Sequence, residues 1–198
     1  MKTTTARLPY LGLALGLLAG CSRDEAPAPA AEATYSRTVT YLDATSPSRF
    51  DSIFKSPVLE PFVWQNANDF TVFVTRPPDH ETLAFSFARA KLPANPVGTY
   101  RFKTVLNATP DVDFAYRIVY DRRRPGSTSW WVYDGSSIPT GSFTITAYDA
   151  AHRLVSGRFE VNISDVSDPF ALSNTSPNRR CRINFEGTFT NAPVQDVQ

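Results

Sequence analysis

The 198-residue chain is poor in several residue types, with two cysteines, two histidines, one methionine and four lysines against sixteen arginines. Each shortage excludes something. His80 and His152 have no ligand-like spacing to either cysteine, so no zinc site is expected. No G-x-S-x-G turn is present, and Ser136, Ser137 and Ser142 have no histidine nearby in sequence. The motifs of nucleophilic catalysis are therefore missing. With 20 basic and 19 acidic residues the chain is near neutral, whereas a nucleic-acid-binding domain needs a basic surface. Sustained helical periodicity is also absent, which removes amphipathic helices from the expected architecture.

What the sequence does have begins at its first residues. Lys2 and Arg7 precede an apolar run from Leu8 to Gly20, with no acidic residue among them. This is the layout of an export signal, and it falls short of the roughly 20 residues needed to span a bilayer. The run ends in Leu18-Ala19-Gly20-Cys21, which resembles the lipobox of bacterial lipoproteins. The resemblance implies that residues 1–20 are removed and that the Cys21 thiol receives a diacylglyceryl group. Two acyl chains suffice for a stable membrane hold.

Residues 22–25, Ser-Arg-Asp-Glu, then resemble the surface-export signal of Bacteroidota-type lipoproteins. The Pro/Ala alternation that follows makes residues 21–34 a semi-rigid tether. An acylated Cys21 also leaves Cys181 without a partner in the chain, so no internal disulfide is expected.

Removal of residues 1–20 leaves 178, enough for one domain over residues 35–198 with its own core. Its residues alternate. In VSGRFEVNI, Val155, Gly157, Phe159, Val161 and Ile163 take one face, and Ser156, Arg158, Glu160 and Asn162 the other. In CRINFEGTF, Cys181, Ile183, Phe185, Gly187 and Phe189 do the same against Arg182, Asn184, Glu186 and Thr188. Both read as half-buried strands, with Cys181 as a small core residue.

Phe143, Ile145 and Ala147 pair with the first of these through the turn YDAAHR to make a hairpin. Further strands are expected at 37–42, 69–75, 82–89, 99–105, 115–120 and 129–133. With 16 prolines and hairpin-length links, the expected fold is all-β. It reads as an antiparallel β-sandwich, with a flattened up-and-down barrel as the alternative. Short links disfavour parallel pairing. Gly157 and Gly187 occupy inward positions, where a large ring has to fill the space, and Phe143 and Trp131 are the candidates.

PTGSFTITAYDAAHRLVSGRFEV followed by INFEGTFTN resembles a set of uncharacterised Bacteroidota-type lipoproteins sharing GxxTIT, SGxFxF and GxF strands. That resemblance covers roughly residues 98–191. It implies an all-β extracytoplasmic body and lends no catalytic residue.

Several side chains are candidates for recognition. Trp130 and Trp131 are adjacent on one strand and must face opposite ways. With Tyr133, the outward one makes either a stacking platform for sugar rings or a cross-strand packing pair. Arg122, Arg123 and Arg124, with Arg179 and Arg180, form either a cationic patch or solvated charge. Asp111 with Asp113, and Asp165 with Asp168, have the oxygen ligands that Ca²⁺ takes but no full coordinating loop. Asp51-Ser52-Ile53 resembles a short O-glycosylation motif.

The expectation is a membrane-tethered, non-catalytic surface lipoprotein of the outer membrane, with a polysaccharide or an envelope protein as ligand and no cofactor or nucleic acid. A structural envelope lipoprotein contacting outer-membrane proteins, and a surface glycan hydrolase, are the other two readings.

Overall fold

The computed structural model describes residues 29–42, 49–77, 81–102, 111–119, 129–132, 139–169 and 179–198. These residues fold as strands: β1 (Glu32–Tyr41), β2 (Arg49–Lys55), β3 (Glu60–Gln65), β4 (Asp69–Arg76), β5 (Glu81–Ala88), β6 (Gly98–Arg101), β7 (Asp113–Val119), β8 (Ser129–Val132), β9 (Pro139–Asp149), β10 (Leu154–Ser167) and β11 (Arg180–Asp196). A single 3₁₀ turn at Arg89–Lys91 is the one helical element among the described residues. The all-β expectation holds.

The strands form one curled, open sheet whose two arms face each other. One arm runs β2-β1-β11-β10-β9-β6 and the other β3-β4-β5-β7-β8. The result is a sandwich joined along one side, a half-closed barrel. The join is β11, 17 residues long. Its first part pairs antiparallel with β1, from Cys181 opposite Tyr41 to Thr190 opposite Glu32. Its last part pairs with β3, Val194–Asp196 beside Val63–Gln65.

Between the two lies Asn191, at φ 53°, where the β10–β11 register also shifts. The extra residue is a bulge, which bends a strand, and asparagine tolerates the left-handed region that such a bend uses. The Asn191 N–H donates to Ser156 Oγ at 3.0 Å, and Asn191 Nδ2 donates to the Ala30 carbonyl at 3.2 Å.

The β11–β3 pair is parallel, against the expectation that short links disfavour parallel pairing. That argument applies to strands adjacent in sequence. Here 114 residues separate Gln65 from Arg180, so the connection is made by most of the fold. The strands β2 and β3 were also not expected. In β2, RFDSIFK puts Phe50 and Phe54 on one face but Ile53 among the charges on the other, which blurs the alternation. β3 carries Pro61, ordinarily a mark against a strand. It is tolerated because β11 joins β3 only from Val63 onward.

The interior is one cluster of aromatic and β-branched residues. Phe85 of β5 lies 4.5 Å from Phe143 of β9 and 4.9 Å from Phe159 of β10, ring centre to ring centre. Those contacts stitch the arms together, and each buried phenylalanine contributes about 1.5–3 kcal/mol. Cys181 is fully buried, and burial, then the nearby Asp168 carboxylate, pushes its thiol pKa up to about 12.

The two inward glycines do make room for rings, though not for the expected ones. A Cβ on Gly157 would lie 2.6 Å from Phe189, and one on Gly187 2.5 Å from Phe159 and 2.6 Å from Tyr35. Phe143 is not the filler, because strand registry sets Gly157 beside Phe189 and Gly187 beside Phe159 and Tyr35, and the Trp131 side chain lies outside the described residues.

Candidate binding face

The outer face of the six-stranded arm is built from the residues that alternation turns away from the core. Registry aligns them in rows across the strands. One row runs Thr99, Thr144, Arg158, Thr188, Thr34 and Lys55. The next runs Arg101, Ser142, Glu160, Glu186, Ser36 and Ile53. A third runs Thr140, Asn162, Asn184, Thr38 and Asp51. Apart from Ile53, every position is polar.

A groove of about 590 Å³ crosses the first two rows, floored by Thr144, Arg158, Glu160, Glu186 and Thr188. A smaller hollow of about 300 Å³ continues over Asn162, Asn184, Thr38 and Arg49.

Side-chain hydrogen bonds tie this face together. Thr99 and Thr144 hydroxyls are 3.0 Å apart, Asn184 Nδ2 donates to Asn162 Oδ1 at 2.6 Å, and Asn162 Nδ2 donates to Glu160 Oε1 at 3.4 Å. The Thr38 hydroxyl donates to Asp51 Oδ1 at 2.6 Å, and Arg49 also holds that carboxylate. Those two contacts keep the Asp51 carboxyl below its usual range. Hydroxyls, amides and alternating charges give the face both donors and acceptors at the 4.7–4.9 Å spacing of neighbouring strands. Glu160 and Glu186 sit directly opposite each other, a like-charge pairing that costs stability in a sheet.

The five-stranded arm turns a different face outward. Phe62 of β3 stacks on Phe73 of β4 with ring centres 5.0 Å apart, and Trp64 meets Phe73 edge-on at 4.8 Å. Trp64 is 44% exposed. The same row continues into Ala84 and Ala115.

A third cluster is buried. The Arg37 guanidinium of β1 donates to Glu81 Oε1 of β5 at 2.5 Å, and the Tyr116 hydroxyl of β7 donates to the same oxygen at 2.7 Å. Arg76 approaches Glu81 Oε2 at 3.4 Å, and both guanidiniums lie over the Phe54 ring, at 5.2 and 4.9 Å. Burial, then the Glu81 charge, raises the Tyr116 and Tyr35 hydroxyls well above the ordinary phenol range. Neither hollow described above is lined by these residues. The cluster bridges the two arms, which is a structural task.

Among the residues singled out in the sequence, Arg180 donates to Asp165, through both its carboxylate and its carbonyl, and to Ser167 at 3.2 Å. The Arg179 guanidinium stacks 3.4 Å over the Tyr41 ring, and the Tyr41 hydroxyl reaches Asp168 at 3.4 Å. Both arginines thus pin the start of β11 to β1 and to the end of β10. Asp165 and Asp168 serve as their counterparts, and Asp111 accepts the Arg101 N–H at 3.2 Å. Among the described residues no three metal-ligating side chains converge.

Ser52 is half-buried and accepts a hydrogen bond from Arg37 at 3.4 Å. Cys21, Arg122, Arg123, Arg124 and Tyr133 lie outside the described residues, as do the side chains of Trp130 and Trp131. No described helix is long and apolar enough to cross a membrane.

Sequence reasoning placed the outward residues of β10 and β11 on the solvent side without marking them as a site. The available signal was composition. Threonine, serine, asparagine and arginine fill most of the outward positions, but threonine is at home on any strand, so the signal was weak. No protein-family model, curated protein or solved structure matches the chain.

Proposed function

We propose that this chain is a lipoprotein of the cell envelope, held at the outer membrane by acylated Cys21, that binds an extended glycan without transforming it. The observation that carries the reading is the groove across the almost wholly polar outer face of the six-stranded arm. A sugar polymer presents hydroxyls every few ångströms along its length, and the rows from Thr99 to Thr34 and from Arg101 to Ser36 present matching donors and acceptors. The lipobox-like Leu18-Ala19-Gly20-Cys21 and the Pro/Ala stretch behind it supply the anchor and spacer of this proposal.

The test is affinity electrophoresis of a soluble form, Ser22 to Gln198, in gels containing envelope polysaccharides. Retardation is expected, and the double substitution Asn184→Ala, Thr188→Ala should weaken it by about tenfold, as the loss of one or two hydrogen bonds does. Trp64→Ala, on the other arm, should leave it unchanged. No retardation by any polysaccharide would end the glycan reading.

A second reading rests on Glu160 and Glu186, two carboxylates facing each other on the floor of the groove. Two carboxylates about 5–10 Å apart are what glycoside hydrolysis needs. New reducing ends during the same assay would make the groove a hydrolytic site.

A further inference from the structure

The open edge of the six-stranded arm is β2, which pairs only with β1 among the described residues. Its hydrogen-bonding phase is fixed by one contact. The Ser56 N–H donates to the Ala33 carbonyl at 2.9 Å, directly in line with the β1–β2 registry. In antiparallel sheets hydrogen-bonded and non-hydrogen-bonded pairs alternate. Phe54, Ser52 and Phe50 therefore turn their N–H and C=O groups toward β1. Arg49, Asp51, Ile53 and Lys55 turn theirs outward to the free edge. The side chains of these same four residues lie on the polar outer face, where Ile53 is 69% exposed.

An exposed edge of this kind is a template for another strand. A second copy of β2 running antiparallel must set outward groups opposite outward groups, which leaves few registers. Centred on Ser52, the pairing puts Arg49 against Lys55 of the second copy, and centred on Asp51 it puts two aspartates together. Centred on Phe54, Asp51 falls beyond the partner strand. Centred on Ile53, Asp51 faces Lys55 of the second copy, Lys55 faces its Asp51, and the two Ile53 side chains meet at the axis. Centred on Phe50, Arg49 faces Asp51 twice but only two outward pairs form within the strand. The register centred on Ile53 makes every charge contact attractive over three facing pairs, which exchange about six main-chain hydrogen bonds.

We propose that the chain forms a two-fold dimer through β2, antiparallel and centred on Ile53. The polar faces of the two copies then become one continuous sheet. The two 590 Å³ grooves, each with Ile53 at its rim, lie side by side across the axis. A long polymer can occupy both, which raises avidity without new contacts. The dimer itself does not depend on the glycan reading.

The test is sedimentation velocity of the full chain in density-matched detergent, at fewer than one chain per micelle, with variants that swap the edge charges. Wild type sediments as a dimer. Asp51→Lys and Lys55→Asp, which place like charges opposite each other twice per dimer, each raise the dissociation constant by about tenfold or more. The double variant, with the charges exchanged, returns it to within about threefold of wild type. A wild-type chain that stays monomeric at about 100 μM, where a specific dimer is populated, would overturn the proposal. So would single variants that dimerise as well as wild type.

Discussion

The two arms face each other with the same chemistry and differ on their outer sides by an aromatic patch that only one of them carries. Inside, both present phenylalanine, valine and isoleucine, and Phe85, Phe143 and Phe159 interlock. Outside, one arm carries rows of hydroxyls, amides and paired charges, and the other carries an aromatic patch, Phe62, Trp64 and Phe73, set among residues such as Thr71, Thr82, Ser86 and Ala84. Inner positions are fixed by packing, so their agreement says little about purpose. Outer positions carry no such constraint, and their divergence separates an almost wholly polar face from one with an aromatic patch.

The sharpest way to break this comparison is at the one place among the described residues where charge lies inside. Glu81→Ala leaves Arg37 buried without its carboxylate, and loss of one member of a buried pair costs about 3–5 kcal/mol. The midpoint of urea unfolding should fall accordingly. Replacing Arg37 and Glu81 together by Met and Leu should cost far less, since the burden then lies in the unpaired ion.

A smaller effect is expected where a ring takes the place of a side chain. Gly187→Ala would force a methyl against Phe159, Tyr35 and the Thr34 carbonyl, all within 2.7 Å of its Cβ. Overpacking of that order costs about 1–3 kcal/mol, again read from the unfolding midpoint. On the polar outer face, by contrast, a single substitution such as Thr188→Ala should move stability by only about 0.5 kcal/mol.

The last effect is absent near neutral pH and emerges as a slope only above about pH 9. Cys181 is raised from 9.0 to about 12 by burial, then by Asp168. A raised folded pKa means the unfolded chain gives up its thiol proton first. The stability tied to this group is thus complete below pH 9 and declines as pH climbs toward 12. Thermal midpoints across that range should fall more gently in Cys181→Ala than in wild type, whatever the offset between the two. Parallel slopes would show the thiol to be unimportant to alkaline unfolding.

The long strands of the C-terminal half were readable because their alternation is regular over nine residues or more, as in β10 and β11. Even the small residues at inward sites, Gly157 and Gly187, were placed on the correct face. Their partners were not, because which ring fills a gap depends on registry between strands far apart in sequence. The parallel β11–β3 contact escaped for the same reason.

β2 and β3 failed locally, one through Ile53 on the polar face and the other through Pro61. The candidate site was visible only as a list of outward residues. Their assembly into rows needs the order β2-β1-β11-β10-β9-β6, which joins the two ends of the chain and follows from no short-range pattern.

The position of β1 has a mechanical consequence. The chain enters the fold at Ala30, beside Asn191, and passes straight into β1. Tension arriving from the amino end therefore pulls along that strand. Ten residue pairs with β11 and seven with β2 resist it together, in shear, instead of opening one at a time like a zipper. The strand that receives the load is also a wall of the 590 Å³ groove, through Thr34 and Ser36. Force transmitted between a leash and a captured polymer would thus travel the shortest route the fold offers and leave the other arm largely unstressed.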